Sequence, residues 1–357
     1  MPSAASGHNV PVVDVSPLIH DSSSSSSSFS PTLRPCCDAL LHALEEFGFV
    51  YVTGVPSVIA ASDALIAPSQ HFLTKQSQPY KEQISMKIRP REWRGWFGVG
   101  DELTNGVADL KEGLYFGVEH DATCEQIKKG LPMHGQNKLP PEHDYPNMRK
   151  ILAKYFTEAE ALGAAMLRGV AIALGLDETH FTPLFEPTPF SLLRVFHYPA
   201  ELQEEQAAGS RWGVAEHTDY GMLTLLRQDD VGGLEVKHRA TGTWIDAPPI
   251  KDTLVVNVGD ALQVATGGRC ISTPHRVRNV SGTSRISMPF FYDPSFEARL
   301  PPPPPHAASS IIGFDGSIYA KLHAASEDGS ITWRDYITAK TSKVFPHLAV
   351  ERDTTDV

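Results

Sequence analysis

Between Phe190 and Asp293 the chain is a succession of short β-type runs: Leu192–His197, Leu223–Arg227, Gly233–Lys237, Leu254–Val258, His275–Val280 and Arg285–Tyr292. Turn-forming residues separate them, among them Asp229-Asp230, Gly232-Gly233, Gly242, Gly259-Asp260, Gly267-Gly268 and Gly282. Runs this short cannot bury an apolar face alone. At near-regular spacing they must fold on one another as a sandwich, jelly roll or barrel. No internal repeat is visible, so the sheet is not built from copies of one unit.

The flanks predict helices and a few further strands. Residues 148–174 carry the longest helical pattern, with Ile151, Leu152, Tyr155, Phe156, Ala159, Leu162, Ala165, Met166 and Val170 as a wide apolar stripe ended by Gly175. A helix of that length buttresses a sheet. Residues 11–18 alternate like a short strand, and the low-complexity run Ser22–Ser28 follows as a surface insertion. From Leu33 the positions Cys37, Leu40, Leu41 and Leu44 recur at helical spacing, with Gly48 as a stop. Phe49–Val52 then reads as a strand closed by the turn Gly54-Val55-Pro56. Residues 90–117, with Trp93, Trp96, Phe97, Tyr115 and Phe116, have the texture of loops and strands. The prolines Pro301–Pro305 predict an extended connector, and Trp333 to Val344 a final helix. The expected division is therefore residues 1–32 (strand and Ser-rich insertion), 33–185 (mixed helical region), 186–296 (β core) and 297–357 (connector and helix).

Composition narrows the classes of function. A net charge of −11 over 357 residues argues against binding nucleic acid or an anionic membrane surface, both of which need basic patches. No stretch approaches the roughly 20 apolar residues that span a bilayer, and the N-terminus lacks a secretory h-region. The four cysteines, Cys36, Cys37, Cys124 and Cys270, suit neither a disulfide framework nor a zinc cluster. A cytoplasmic monomer acting on a small molecule is the expectation.

Of the 15 histidines, only His217 is followed two residues later by a carboxylate, Asp219. In extended chain, residues i and i+2 point to one face, so imidazole and carboxylate can converge. A third ligand would complete a facial triad of two histidines and one carboxylate, which leaves coordination positions open for substrate and O2. His275, at the start of a later run, is the best candidate. On the next run Arg285 and Ser287 share one face, while the neighbours Ile286, Met288, Phe290 and Phe291 are apolar. An arginine aimed into an apolar interior needs an anion, because an unpaired buried charge is very costly. Alone, Arg285 would suit a structural ion pair. With a hydroxyl two residues away and a metal triad upstream, it suits a carboxylate clamp.

Taken with Asn257-Val258-Gly259-Asp260, Ser272-Thr273-Pro274-His275-Arg276-Val277 and Arg285-Ile286-Ser287-Met288-Pro289-Phe290-Phe291, the sequence resembles the 2-oxoglutarate- and Fe(II)-dependent dioxygenases. The likeness is to the subgroup of isopenicillin N synthase and the plant flavonoid and gibberellin oxidases. It covers most of the chain, including Gly48-Phe49, Gly54-Val55-Pro56 and Arg194-Val195-Phe196-His197-Tyr198-Pro199. It implies a mainly β protein with flanking helices, its core a distorted double-stranded β-helix (jelly roll). It also implies His217, Asp219 and His275 as iron ligands, and Arg285, Ser287 and Tyr198 around the distal carboxylate of 2-oxoglutarate. Iron(II) and the co-substrates 2-oxoglutarate and O2 are the implied cofactors, with ascorbate as reductant; succinate and CO2 are the co-products. Phe196-His197-Tyr198-Pro199 departs from the more usual Asn-Tyr-Tyr-Pro, which sets this chain apart from the plant enzymes and leaves its substrate open.

Two other readings remain at this point. An iron oxidase or cyclase could use Arg285 and Ser287 to hold a substrate carboxylate without 2-oxoglutarate. A silent binding protein on the same scaffold is the other, although a scaffold has no need of three converging ligands. The aromatics of 93–116 with Phe291 are candidates for a pocket, although most of them suit the core better; a pocket they lined would suit a small, largely apolar or aromatic substrate.

Overall fold

The computed structural model describes residues 9–20, 32–121, 123–200, 212–279, 281–301, 322, 325–326 and 330–344. The run Ser22–Ser28 and the prolines after Pro301 lie outside them.

Two sheets form the body. The larger has eight strands, ordered Val12–Asp14, Phe49–Thr53, Leu254–Val258, Leu223–Gln228, Arg285–Asp293, Phe190–Tyr198, Glu112–Gly117 and Gly95–Phe97. The smaller has four, ordered Trp244–Asp246, Leu234–Lys237, His275–Val277 and Val214–His217. Sequence-distant strands are neighbours within each sheet, which is the crossing pattern of a jelly roll. No strand of the described residues joins the two sheets into a closed barrel.

Alternation along Arg285–Asp293 shows how the larger sheet divides its work. Arg285, Ser287, Pro289, Phe291 and Asp293 line a cavity between the sheets. Their neighbours face the helical layer: Phe290 meets the rings of Tyr155 and Phe156 edge-on at 5.7 and 5.2 Å. Tyr292 lies so close to Gly163 that a β-carbon there would stand 2.5 Å from its ring. Tyr155, Phe156 and Gly163 belong to the long helix Met148–Ala173, which packs on the sheet and on the helices Leu33–Glu46 and Pro56–Lys75. Full burial of a ring such as Phe290 contributes about 1.5–3 kcal/mol, so this seam fixes which strand face is left for the cavity.

The predicted helices end close to where their signals place them. Gly48, at φ +68°, follows Leu33–Glu46, and Gly175, at φ +74°, follows Met148–Ala173. The final helix runs Trp333–Val344. Several elements are not anticipated by the sequence reading: the 11–18 strand is only Val12–Asp14 and gives way to the helix Ser16–His20, and three others bear on the site. Helix Pro56–Lys75 starts on a proline that reads as the end of a turn, and it contains Pro68. Asp260–Ala265 is a short helix where Gly259-Asp260 reads as a turn. The strand Val214–His217 is too short for periodicity to announce it.

Candidate active site

His217 closes the strand Val214–His217, and His275 opens its antiparallel neighbour, so the two residues are direct cross-strand partners. Their rings lie 4.2 Å apart, centroid to centroid. Asp219 reaches them differently from the i, i+2 argument. It lies beyond the end of the strand, in a loop whose backbone is held where Asp260 N donates to Asp219 O at 2.8 Å. Asp219 Oδ1 is 3.8 Å from both His217 Nε2 and His275 Nε2. One ligand atom from each of the three residues falls within a 4.8 Å cluster.

The other polar atoms of these residues are already engaged. His217 Nδ1 donates to Ala215 O at 2.8 Å, and His275 Nδ1 donates to Thr273 O at 3.1 Å. A carbonyl can only accept, so each Nδ1 carries a proton, the tautomer in which a neutral ring offers its Nε2 lone pair to a metal. Asp219 Oδ2 accepts from Thr224 Oγ1 at 2.6 Å and Asn257 Nδ2 at 2.7 Å, which leaves Oδ1 turned to the histidines. Outer partners that fix tautomer and carboxylate orientation are what a metal site requires. Burial, and then the neighbouring His275, push the His217 imidazole down to about 4. Burial opposes ionisation of Asp219, yet His275, His217 and the hydrogen bonds of Asn257 and Thr224 hold its carboxyl below the ordinary range. Neutral imidazoles and an ionised carboxylate are the ligand forms of iron(II).

Arg285 lies along the same cavity and is fully buried. Its Nη2 donates to Gln228 Oε1 at 3.0 Å, whereas Nε and Nη1 have no hydrogen-bond partner. The nearby Asp229 carboxylate is occupied by the backbone amides of Ile286 and Val231. Tyr198, the cross-strand partner of Arg285, places its ring 4.9 Å beneath the guanidinium. Ser287 lines the cavity two residues along. Two orphaned donors on a buried guanidinium fit a carboxylate, and nothing among the described residues supplies one.

The cavity has a volume of about 910 Å³. Phe291 lines it as the sequence reading expects, and Ile337, Lys340 and Val344 of the last helix close one side. The aromatics of 93–116 do not line it. Trp93 and Phe97 stack edge-on against Tyr115 at 5.9 and 5.3 Å, and Trp96 Nε1 donates to the buried Glu112 Oε2 at 2.9 Å. Those rings are core, the role the sequence favours for most of them; the cavity takes its aromatic and aliphatic lining from elsewhere, including Phe49, Phe196, Leu226 and Phe291. Glu102, Lys111, Arg194, Tyr220 and Asp293 add polar groups to that lining. The signal for Arg194 was the two-residue alternation Leu192, Arg194, Phe196, Tyr198, all of which line the cavity.

Comparison with known proteins agrees with this geometry. The profile of the 2OG-Fe(II) oxygenase superfamily matches residues 189–294, and that of the non-haem dioxygenase in morphine synthesis N-terminal region matches 10–142. A probable iron/ascorbate oxidoreductase of Dictyostelium discoideum is 37% identical over 324 residues, covering 86% of this chain and 88% of that protein. A homoarginine-6-hydroxylase of Oryza sativa subsp. japonica is 35% identical, covering 82% and 88%. Among solved structures, a full-length Neurospora crassa protein in complex with alpha-KG and thymine superposes with a TM-score of 0.73 at 24% identity, covering 96% of this chain and 99% of that one. The chain belongs to the 2OG-Fe(II) oxygenase superfamily. It is an oxidoreductase of the 2-oxoglutarate-dependent dioxygenase type, with iron(II) and 2-oxoglutarate as cofactor and co-substrate.

Proposed function

We propose that His217, Asp219 and His275 hold the iron, that Arg285 and Ser287 hold the far carboxylate of 2-oxoglutarate, and that the enzyme hydroxylates a small metabolite. The observation that carries this reading is the pair of orphaned donors on buried Arg285, in the same cavity as three free ligand atoms. When bound, iron and 2-oxoglutarate supply the oxidising power, with 2-oxoglutarate going to succinate and CO2 as oxygen enters a C–H bond.

The protein's own part is placement. Thr224 and Asn257 aim Asp219; Ala215 and Thr273 fix the imidazoles; Tyr198 and Gln228 hold the Arg285 guanidinium in one plane. Ser287 adds a hydroxyl to the far carboxylate. Ile337, Lys340 and Val344 shield the cavity from water, which strengthens each electrostatic contact inside it. A monomer in the cytoplasm, with neither nucleic acid nor membrane as partner, completes the proposal. Among the described residues no helix is long and apolar enough to cross a bilayer.

The test is succinate release from purified protein given iron(II), 2-oxoglutarate, ascorbate and air. The expected result is succinate that disappears when either iron or 2-oxoglutarate is omitted. Substrate oxidation that proceeds without 2-oxoglutarate would favour an oxidase that binds a substrate carboxylate at Arg285.

A further inference from the structure

The part of the cavity beyond the triad is built from charges that cancel one another. Lys111 is buried between two carboxylates, Glu102 Oε2 at 2.9 Å and Asp109. Glu102 Oε1 also accepts from Tyr115 OH at 2.9 Å and pairs with Arg194 Nη1 at 3.2 Å. Two cations and two carboxylates thus form one closed network. Lys340 lies 3.6 Å from the buried carboxylate of Asp260, and Glu216 at the rim pairs with Lys237 at 2.8 Å. Asp293 is the remaining acidic or basic group among the described lining residues, apart from the iron triad and Arg285. Its carboxyl is buried, and burial is the first cause that raises it above the ordinary range. Iron(II) with Asp219 would carry one positive charge and 2-oxoglutarate with Arg285 one negative charge, so the two would cancel only together. The cations of this wall, Lys111, Arg194 and Lys340, each already face a carboxylate, and Glu102 and Glu216 each face a cation.

Glu102 Oε2 has only its ion pair with Lys111, and two further polar atoms in this wall lack partners. Arg194 Nε and Asp293 Oδ1 are both buried without a hydrogen bond. Arg194 is held in a single pose: Glu102 grips one end, while the rings of Tyr115 and Phe291 lie 4.5 and 4.8 Å from the guanidinium carbon. Phe291 also lines the cavity, one residue pair from Asp293 on the same strand face, and Tyr220 lines it nearby. Buried polar atoms are rarely left unsatisfied unless a ligand completes them. Flat aromatic walls favour a planar guest.

From this we infer that the substrate is an uncharged, planar molecule that offers an acceptor to Arg194 and a hydrogen-bonding group to Asp293, with its flat face against Phe291. The inference rests on the proposed iron and 2-oxoglutarate site and names the substrate class for it. It runs against a cationic substrate such as that in the name of the rice relative, because Glu102 is already saturated by Lys111, Tyr115 and Arg194. It runs equally against a simple anion, because Arg194 and Lys111 have their own carboxylates.

Three probes of one shape and three charges test it: benzamide (neutral), benzoate (anion) and benzamidine (cation). Affinity for the iron(II)- and 2-oxoglutarate-loaded protein is read without oxygen by ligand-observed NMR, so no turnover enters. Binding of 2-oxoglutarate, measured first on the same sample, checks the underlying site separately; its failure would sink the proposed function rather than this inference. The expected order has benzamide tightest, by about tenfold or more, the factor that 1.4 kcal/mol produces. Arg194→Met is expected to weaken benzamide by a similar factor, and Asp293→Asn, which keeps a neutral polar group, to weaken it far less than Asp293→Ala. Benzoate or benzamidine binding as tightly as benzamide, no detectable benzamide binding, or an Arg194→Met protein that binds benzamide like wild type would each overturn the inference.

Discussion

Asp219→Ala is expected to take iron- and 2-oxoglutarate-dependent succinate release to background. Asp219 supplies the only carboxylate in the three-residue ligand cluster, and its Oδ1 faces both imidazoles at 3.8 Å. Its removal deletes a ligand and the negative charge that offsets part of the metal's. It also strands Asn257 Nδ2 and Thr224 Oγ1, both buried and both aimed at Oδ2. Losing an outer partner of a metal ligand costs 10–100-fold, so losing the ligand itself should exceed about 100-fold. The assay compares succinate release at saturating iron for wild type and variant, with circular dichroism to show that both are folded. Turnover within about tenfold of wild type would remove Asp219 from the ligand set.

Arg285→Met is expected to act on 2-oxoglutarate alone. The side chain is fully buried, and its two orphaned donors are the cavity's best match for a carboxylate. Charge-assisted hydrogen bonds contribute about 1.5–3 kcal/mol each, so losing the pair should raise the KM for 2-oxoglutarate by at least about 100-fold. Methionine follows the arginine stem and stays in contact with the Tyr198 ring, which limits the structural cost. Gln228 Oε1 loses its donor, a smaller penalty. Iron affinity should not follow, since Arg285 touches none of the three ligands. A KM within about threefold of wild type would show that another group holds the co-substrate, because threefold is under 1 kcal/mol.

What could be read from the sequence follows from how few uses a residue has in its setting. A His-Thr-Asp triplet, a later histidine and an arginine on an otherwise apolar strand have little to do together except bind a metal and an anion, and the structure brings all of them to one cavity. The final helix, expected over Trp333 to Val344, runs over those residues. The path by which Asp219 reaches the metal was not legible. It depends on a loop held by Asp260, which is distant in sequence and lies in a six-residue helix. Asn257 stood in a motif noted from the sequence, but its bond to Asp219 depends on strand pairing between Leu254–Val258 and Leu223–Gln228. The substrate wall was the least legible part. Trp93, Trp96 and Phe97 suit either a pocket or a core, and only the pairing of Gly95–Phe97 with Glu112–Gly117 shows that they are core. Arg194 and Asp293 reach the cavity because their strands lie side by side with these faces turned inward, and that is a property of the sheet rather than of either segment.

The central claim is that three side chains make one iron site. Its most direct test is iron stoichiometry after anaerobic loading and desalting of wild type and of the His217→Ala, Asp219→Ala and His275→Ala proteins, read by elemental analysis. The account predicts close to a single iron per chain in wild type and little in each variant. Wild-type iron content in any of the three folded variants would contradict it.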